Sequence, residues 1–297
     1  MTLLLLSAML LFLRRFIPKG NALHEVLSLP SYLLKVYRTP TKDMKVEKHF
    51  YGKHRRQYLL WCTPLEGVSQ KKHVIVYHHG GGWAFGSPEM LRMNAQYFVR
   101  LGYSVILPSY RRSPKYRLPE MWEDLMGGLH KGLELMAENG LGERQLILAG
   151  MSAGGNLAAL CMYRREAVRQ AGLDPERFRG LMLFGAPLDL RTMARTPILY
   201  AYCGSRRGEM FQQANPIEHL EQADERPVLC VHGTSDGMVP FEGTQNFMAK
   251  QKALGGGNHI HLHVIEQGTH LDAGSWGFEE NDLRPLIGKW LENREKM

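Results

Sequence analysis

Cysteine is scarce in this 297-residue chain: Cys62, Cys161, Cys203 and Cys230 are the four, with no CxxC pair and no tight spacing. Disulfide-stapled scaffolds and zinc ribbons both need clustered cysteines and are excluded. The expectation is buried free thiols in a reducing, cytoplasmic compartment. A membrane-spanning run is missing too. The apolar stretch Thr2–Leu13 has twelve residues, which at about 1.5 Å each cannot cross a hydrocarbon core of roughly 30 Å. Arg14-Arg15 follow that run instead of preceding it, and no small-residue site comes after it, unlike a cleavable leader. Two readings of residues 1–18 stay open: a helix lying in a membrane interface with its arginines among the headgroups, or a helix docked on the protein's own surface or a partner.

Charge of one sign is not concentrated anywhere. Lys and Arg outnumber Asp and Glu by 37 to 29, a formal net charge of +8, but the basic residues come in short pairs such as Arg55-Arg56 and Arg111-Arg112, interleaved with acids. A solvated basic surface explains this better than a nucleic-acid footprint, so no nucleic-acid partner is expected. Internal repeats and low-complexity tracts are absent. With 44% hydrophobic and 22% charged residues, the composition is that of an ordinary globular protein.

What is present is alternation. His73–His79 is a continuous run rich in β-branched residues, as a strand buried on both faces requires. Tyr103–Pro108, Gln145–Gly150, Gly180–Pro187, Pro227–Gly233 and His261–Glu266 are similar, and Lys45–Gly52 and Gln57–Pro64 are two earlier strands. Helix-length segments separate them: Glu120–Glu138, Gly154–Ala171, Thr244–Leu254 and Leu283–Glu292. This pattern predicts an α/β fold with a mostly parallel sheet and helices on both faces. Leu23–Tyr37 is helical but holds Pro30, which predicts two short helices. The expected organisation is an apolar segment over 1–18, N-terminal cap helices over 19–44, and a main domain over 45–297. An insertion at about 191–225, with no clear core strand, would complete a small helical cap.

Gly150-Met151-Ser152-Ala153-Gly154 is a GxSxG lying between a strand and a helix. A sharp strand-to-helix turn strains the serine backbone and needs glycine on both sides. His78-His79-Gly80-Gly81-Gly82-Trp83 ends another core strand. Successive glycines let amide N–H groups point into one concavity, which is what a developing oxyanion needs. A serine nucleophile also needs a base and an orienting carboxylate. Asp236 and His270 each follow the end of a later strand, on the same sheet edge as Ser152. Asp272 competes with Asp236 for the carboxylate role but shares His270's own loop. His259, His261 and His263 alternate along the last strand and would diverge, so no metal site is expected. His232 is expected to be a packed structural histidine.

Taken together, these motifs resemble the α/β-hydrolase superfamily and, within it, the hormone-sensitive-lipase-like carboxylesterases. HHGGGW is similar to that family's HGGG oxyanion motif, GMSAGGNLA to its nucleophile elbow, and HGTSDGMVP and GTHLD to its acid and histidine loops. The resemblance implies Ser152 as nucleophile, His270 as base, Asp236 as its orienter, and the N–H groups of Gly81, Gly82 and Ala153 as oxyanion hole. It covers roughly residues 45–295. Met151 departs from it, replacing the usual Asp or Thr of the elbow. The implied activity is hydrolysis of short- to medium-chain esters of small molecules, without a cofactor. A deacetylase or amidase would use the same residues. A non-catalytic receptor on this fold would be expected to lose the histidine, and a prolyl-oligopeptidase-type exopeptidase would carry a large N-terminal propeller.

Overall fold

The computed structural model of the chain describes residues 9, 10 and 12–296. Eight strands form one sheet in the order β1-β2-β4-β3-β5-β6-β7-β8. They are β1 (Lys45–Phe50), β2 (Tyr58–Thr63), β3 (His73–His78), β4 (Ser104–Pro108), β5 (Gln145–Met151), β6 (Phe178–Phe184), β7 (Val228–Gly233) and β8 (Ile260–Ile265). β2 is antiparallel to β1 and β4, and the other neighbours are parallel.

The helices are α1 (Ala22–Arg38), α2 (Arg92–Arg100), α3 (Leu118–Glu138), α4 (Ala153–Tyr163), α5 (Arg165–Gln170), α6 (Pro197–Cys203), α7 (Glu209–Ala214), α8 (Phe241–Ala253) and α9 (Leu283–Glu295). The continuous apolar strands are explained by two cores, one on each face. Val74, Val76, Leu146, Leu148, Leu181 and Leu183 pack with α3 and α4 on one face. The alternate residues Ile75, Tyr77, Ile147, Ala149, Met182 and Phe184 pack with Phe98, Trp276 and Ile287 on the other. All four cysteines are buried and free.

Strand order reverses between β4 and β5, on either side of β3. In open parallel sheets, the crevice outside the carboxyl ends at such a switch point is where ligands bind. The glycine loop after β3 and the elbow after β5 flank that crevice.

Three expectations need correction. Pro30 does not divide the first helix, which runs unbroken over Ala22–Arg38 with Pro30 inside it. Proline removes one backbone hydrogen bond. Buried His24, Glu25 and Ser28 before it and Val36 after it keep both halves packed, and the Ser28 and Ser31 hydroxyls donate to the carbonyls of His24 and Ser28. The segment 154–171 is not one helix but two, α4 and α5, because Arg164 leaves helical geometry at φ −81°, ψ 55°. Its guanidinium lies over Trp122, 4.3 Å from the ring centroid. His259 stands in a turn before β8 begins, so the three histidines do not alternate along one strand.

Residues 191–225 contain α6 and α7 and no strand. Of the segment 1–18, residues 1–8 and 11 lie outside the described residues. Its described part is helical at 9, 10 and 12–14, exposes Phe12 and Phe16, and donates from Arg14 to the Ser28 hydroxyl. Among the described residues no helix is long and apolar enough to cross a membrane.

Candidate active site

β5 ends at Met151 and α4 begins at Ala153, leaving Ser152 alone in the turn at φ 53°, ψ −127°. Such a backbone is strained by about 1–3 kcal/mol for any residue with a side chain. The elbow holds because its surroundings over-determine it. Ser152 N–H donates to Phe184 O at 2.8 Å, and a Cβ on Gly154 would stand 2.1 Å from His78 O. Gly150 meets the start of α4 just as closely. The serine thus sits where the β3 and β5 backbones and the first turn of α4 converge.

β7 and β8 deliver the partners. The loops after them are hydrogen-bonded together, Thr234 N–H to Ile265 O at 3.1 Å and Ser235 N–H to Gly268 O at 2.9 Å. His270 Nε2 lies 2.9 Å from Ser152 Oγ, and His270 Nδ1 lies 2.7 Å from Asp236 Oδ2. Asp236 Oδ1 accepts from the N–H groups of Met238 at 2.9 Å and Val239 at 2.7 Å. A hydroxyl bonded to an imidazole that is itself held by a carboxylate can lose its proton as it attacks.

Burial alone would raise the Asp236 carboxyl, but the adjacent His270 and the hydrogen bonds from His232 and His270 hold it well below the usual range. Burial would lower His270, yet the anions Asp236 and Glu25 outweigh it and raise the imidazole above its ordinary value. In a reaction where His270 takes the proton of Ser152, only the neutral imidazole can do so, and activity is then expected to disappear as pH falls through this raised value. The acidic limb of kcat/KM should therefore be centred above about 6.5. A limb at or below 6.5 in a pH–rate profile would contradict the assignment of these two anions to His270.

The glycine loop faces the serine. Gly81 has φ 115°, and a Cβ there would fall 2.5 Å from the Phe85 carbonyl, so only glycine fits. The N–H groups of Gly81, Gly82 and Ala153 donate to no backbone carbonyl among the described residues and are free for a ligand oxygen. Ala153 also opens α4, whose aligned peptide dipoles favour negative charge at that end. His79 supports the loop. It stacks on Tyr110 at 4.3 Å and its Nδ1 lies 2.8 Å from Gly80 O. Burial lowers it to about 4, so it is neutral here and donates to that carbonyl. Gly80 itself packs against the Met151 carbonyl and the Ser152 Cβ.

Asp272 is not brought to the imidazole. Its Oδ2 accepts from the N–H and hydroxyl of Thr269 at 2.7 and 3.0 Å, closing the histidine loop on itself. Among the described residues, no three His, Cys, Asp or Glu side chains group closely enough to hold a metal ion.

Other contacts were not anticipated from sequence. His232 is packed as expected, its Nε2 2.9 Å from Val239 O and its Nδ1 2.8 Å from Thr244 Oγ1, but Nε2 also comes within 3.2 Å of Asp236 Oδ2. Gly185, at φ 53°, lies beside the imidazole, and a Cβ there would be 3.2 Å from His270 Cε1. Its place just after β6, on the same sheet edge, was the available signal. Met151, the departure in the elbow, lies with its sulfur 3.7 Å from Tyr32 Oη and packs against Gly274. A thioether between α1 and the histidine loop takes the place of a polar tie.

A family model for the alpha/beta hydrolase fold matches residues 75–221. The chain is 35% identical to arylacetamide deacetylase from Bos taurus over 105 residues, 33% of this chain and 26% of that protein. It is 32% identical to carboxylesterase 20 from Arabidopsis thaliana over 136 residues, 43% of this chain and 41% of that protein. It thus spans less than half the length of these curated relatives. The crystal structure of esterase B from Lactobacillus rhamnosis shares the fold, with a TM-score of 0.71 at 16% identity over 98% of this chain and 95% of that one. Sheet topology, elbow, glycine loop and family match agree: the chain has the α/β-hydrolase fold and resembles the hormone-sensitive-lipase-like carboxylesterases.

Proposed function

We propose that the protein is a serine carboxylesterase acting on short- to medium-chain esters of small molecules. The observation that carries this reading is the relay Ser152–His270–Asp236, with contacts of 2.9 and 2.7 Å, standing beside three uncommitted amides. Ser152 Oγ attacks the ester carbonyl as its proton passes to His270 Nε2. The oxyanion accepts hydrogen bonds from Gly81, Gly82 and Ala153. The tetrahedral intermediate collapses, His270 protonates the departing alkoxide, and Ser152 is left acylated. Water then repeats the sequence, with His270 taking its proton and returning one to Ser152. Asp236 keeps Nδ1 protonated and stabilises the imidazolium in both halves.

Each step uses groups of this chain, so the reaction as written needs no cofactor. Residues 19–44 and about 191–225 form the cap in this reading. Ile198 on α6 supports an apolar acyl group beside the oxyanion amides, since its Cγ2 lies 3.6 Å from where a Cβ on Gly82 would be. The deacetylase named among the relatives favours a second substrate class, an acetylated amine, whose poorer leaving group relies more heavily on protonation by His270.

The test is hydrolysis of p-nitrophenyl esters from acetate to palmitate. Turnover should peak among the shorter chains and fall steeply towards palmitate. A folded protein that turns over none of them would exclude the esterase and favour an amide substrate or a receptor.

A further inference from the structure

The α1 helix precedes every motif discussed above, yet it carries a carboxylate into the active site. Glu25 is 1% exposed. Its Oε1 accepts from His270 N–H at 2.7 Å and from Gly237 N–H at 3.3 Å, one residue past Asp236. A single oxygen therefore joins the main chains of the histidine and acid loops. Its other oxygen, Oε2, is buried with no hydrogen-bond partner among the described residues. A solitary buried carboxylate is destabilising unless something offsets it.

The helix is seated so that this contact is imposed. A Cβ on Gly237 would lie 2.5 Å from the Asn21 carbonyl carbon, so Asn21 at the head of α1 lies directly on the acid loop. Lys19 Nζ donates to Gln267 O at 3.1 Å and Tyr32 Oη to Gly274 O at 3.3 Å, on either side of His270. Of the charged groups around the imidazole, Asp236 and Glu25 act on it directly; burial raises the Glu25 carboxyl, while the N–H groups of His270 and Gly237 and the imidazole itself favour its charged form. Asp272 is engaged by Thr269, His232 by Asp236 and Thr244, and His24, next to Glu25, feels Arg14, Lys19 and Asp272.

We propose that Glu25 is a positioning residue of the active site: it pins the main chain of His270 and of the acid loop through one oxygen and places a second negative charge beside the imidazole. The proposal rests on the esterase reading for its kinetic readout but not for its spectroscopic one. Two consequences separate it from a merely structural role. First, the second anion helps to raise His270, so neutralising Glu25 must lower the imidazole's pKa even when the hydrogen bonds survive. Second, losing the hydrogen bonds must lower kcat through misplacement of the base while leaving KM almost unchanged, because Glu25 does not touch substrate.

Glu25→Gln keeps an oxygen for the two N–H donors and removes the charge. Glu25→Ala removes both. The measurement is the His270 pKa by NMR of the imidazole nitrogens in the full chain, together with kcat and KM on p-nitrophenyl butyrate. For Glu25→Gln the pKa and the acidic limb should move down by about 0.5–1 unit, with plateau kcat within about threefold of wild type. For Glu25→Ala kcat should fall about 10- to 100-fold at nearly constant KM. An unmoved His270 pKa in Glu25→Gln overturns the electrostatic role, and unchanged kcat in a folded Glu25→Ala overturns the positional one. Should Glu25→Ala fail to fold, Glu25→Gln still decides. If wild type does not hydrolyse the ester, the NMR titration tests the proposal while the esterase reading alone falls.

Discussion

Ser152→Ala is expected to lower kcat on p-nitrophenyl esters by about 10⁴-fold or more, equivalent to about 5.5 kcal/mol of transition-state stabilisation. In the proposed reaction the whole covalent route passes through this oxygen. Without it, His270 has no proton to take from the enzyme, and what remains is binding plus the Gly81, Gly82 and Ala153 amides. Those groups were not removed, so activity above the uncatalysed rate should persist, with KM little changed. Folding should be unaffected. Alanine keeps the Cβ, so the backbone at φ 53° is no more and no less strained, and the side chain loses only its hydrogen bond to His270. A thermal melt matching wild type beside a collapsed kcat is the expected pair of results. A variant retaining a tenth of wild-type kcat would refute Ser152 as nucleophile.

The same serine shows why so much of the site was legible in sequence. Its turn is dictated locally: a strand, a strained residue that only flanking glycines permit, and a helix start all lie within ten residues. The glycine loop is equally local, because Gly81 is required by its own φ and by Phe85 four residues on. Asp236 and His270 were located by counting strand ends, which works because a parallel sheet brings all its carboxyl ends to one edge. The sheet itself was legible because strands buried on both faces leave uninterrupted apolar runs.

What escaped was non-local. Glu25 meets His270 across 245 residues of sequence, and Tyr32 meets Met151 across 119. No periodicity or motif marks such pairs. Pro30 misled for a related reason, since a local rule about proline yields when tertiary packing anchors both sides of it. Arg164 is the converse case. A good helix former ends α4 there, and its guanidinium lies over Trp122 from another helix.

Asp236→Asn is expected to lower kcat about 10⁴-fold, nearly as much as removing the nucleophile, although it changes one oxygen to nitrogen. The size follows from the donors around the carboxylate. Oδ1 accepts from the N–H groups of Met238 and Val239, so the asparagine oxygen takes that place. Its NH₂ then takes the place of Oδ2, facing His270 Nδ1 at 2.7 Å and His232 Nε2 at 3.2 Å. His270 Nδ1 donates to the carboxylate in the native protein, and an amide N–H cannot accept from it. His270 escapes by moving its proton to Nε2, where it points at Ser152 Oγ and can no longer receive the serine proton. His232 is less affected, because its Nε2 lies 2.9 Å from the Val239 carbonyl, an acceptor that the substitution leaves in place. The damage therefore concentrates on the imidazole tautomer. Losing the main anion that raises His270 should also move the acidic limb of the residual activity to lower pH. Asp272→Asn, which touches only Thr269, is the control and should keep kcat within about threefold. If Asp236→Asn retained a tenth of wild-type kcat with an unmoved limb, another group would have to orient His270. A collapse in Asp236→Asn with Asp272→Asn intact would assign the orienting role to the carboxylate at the end of β7.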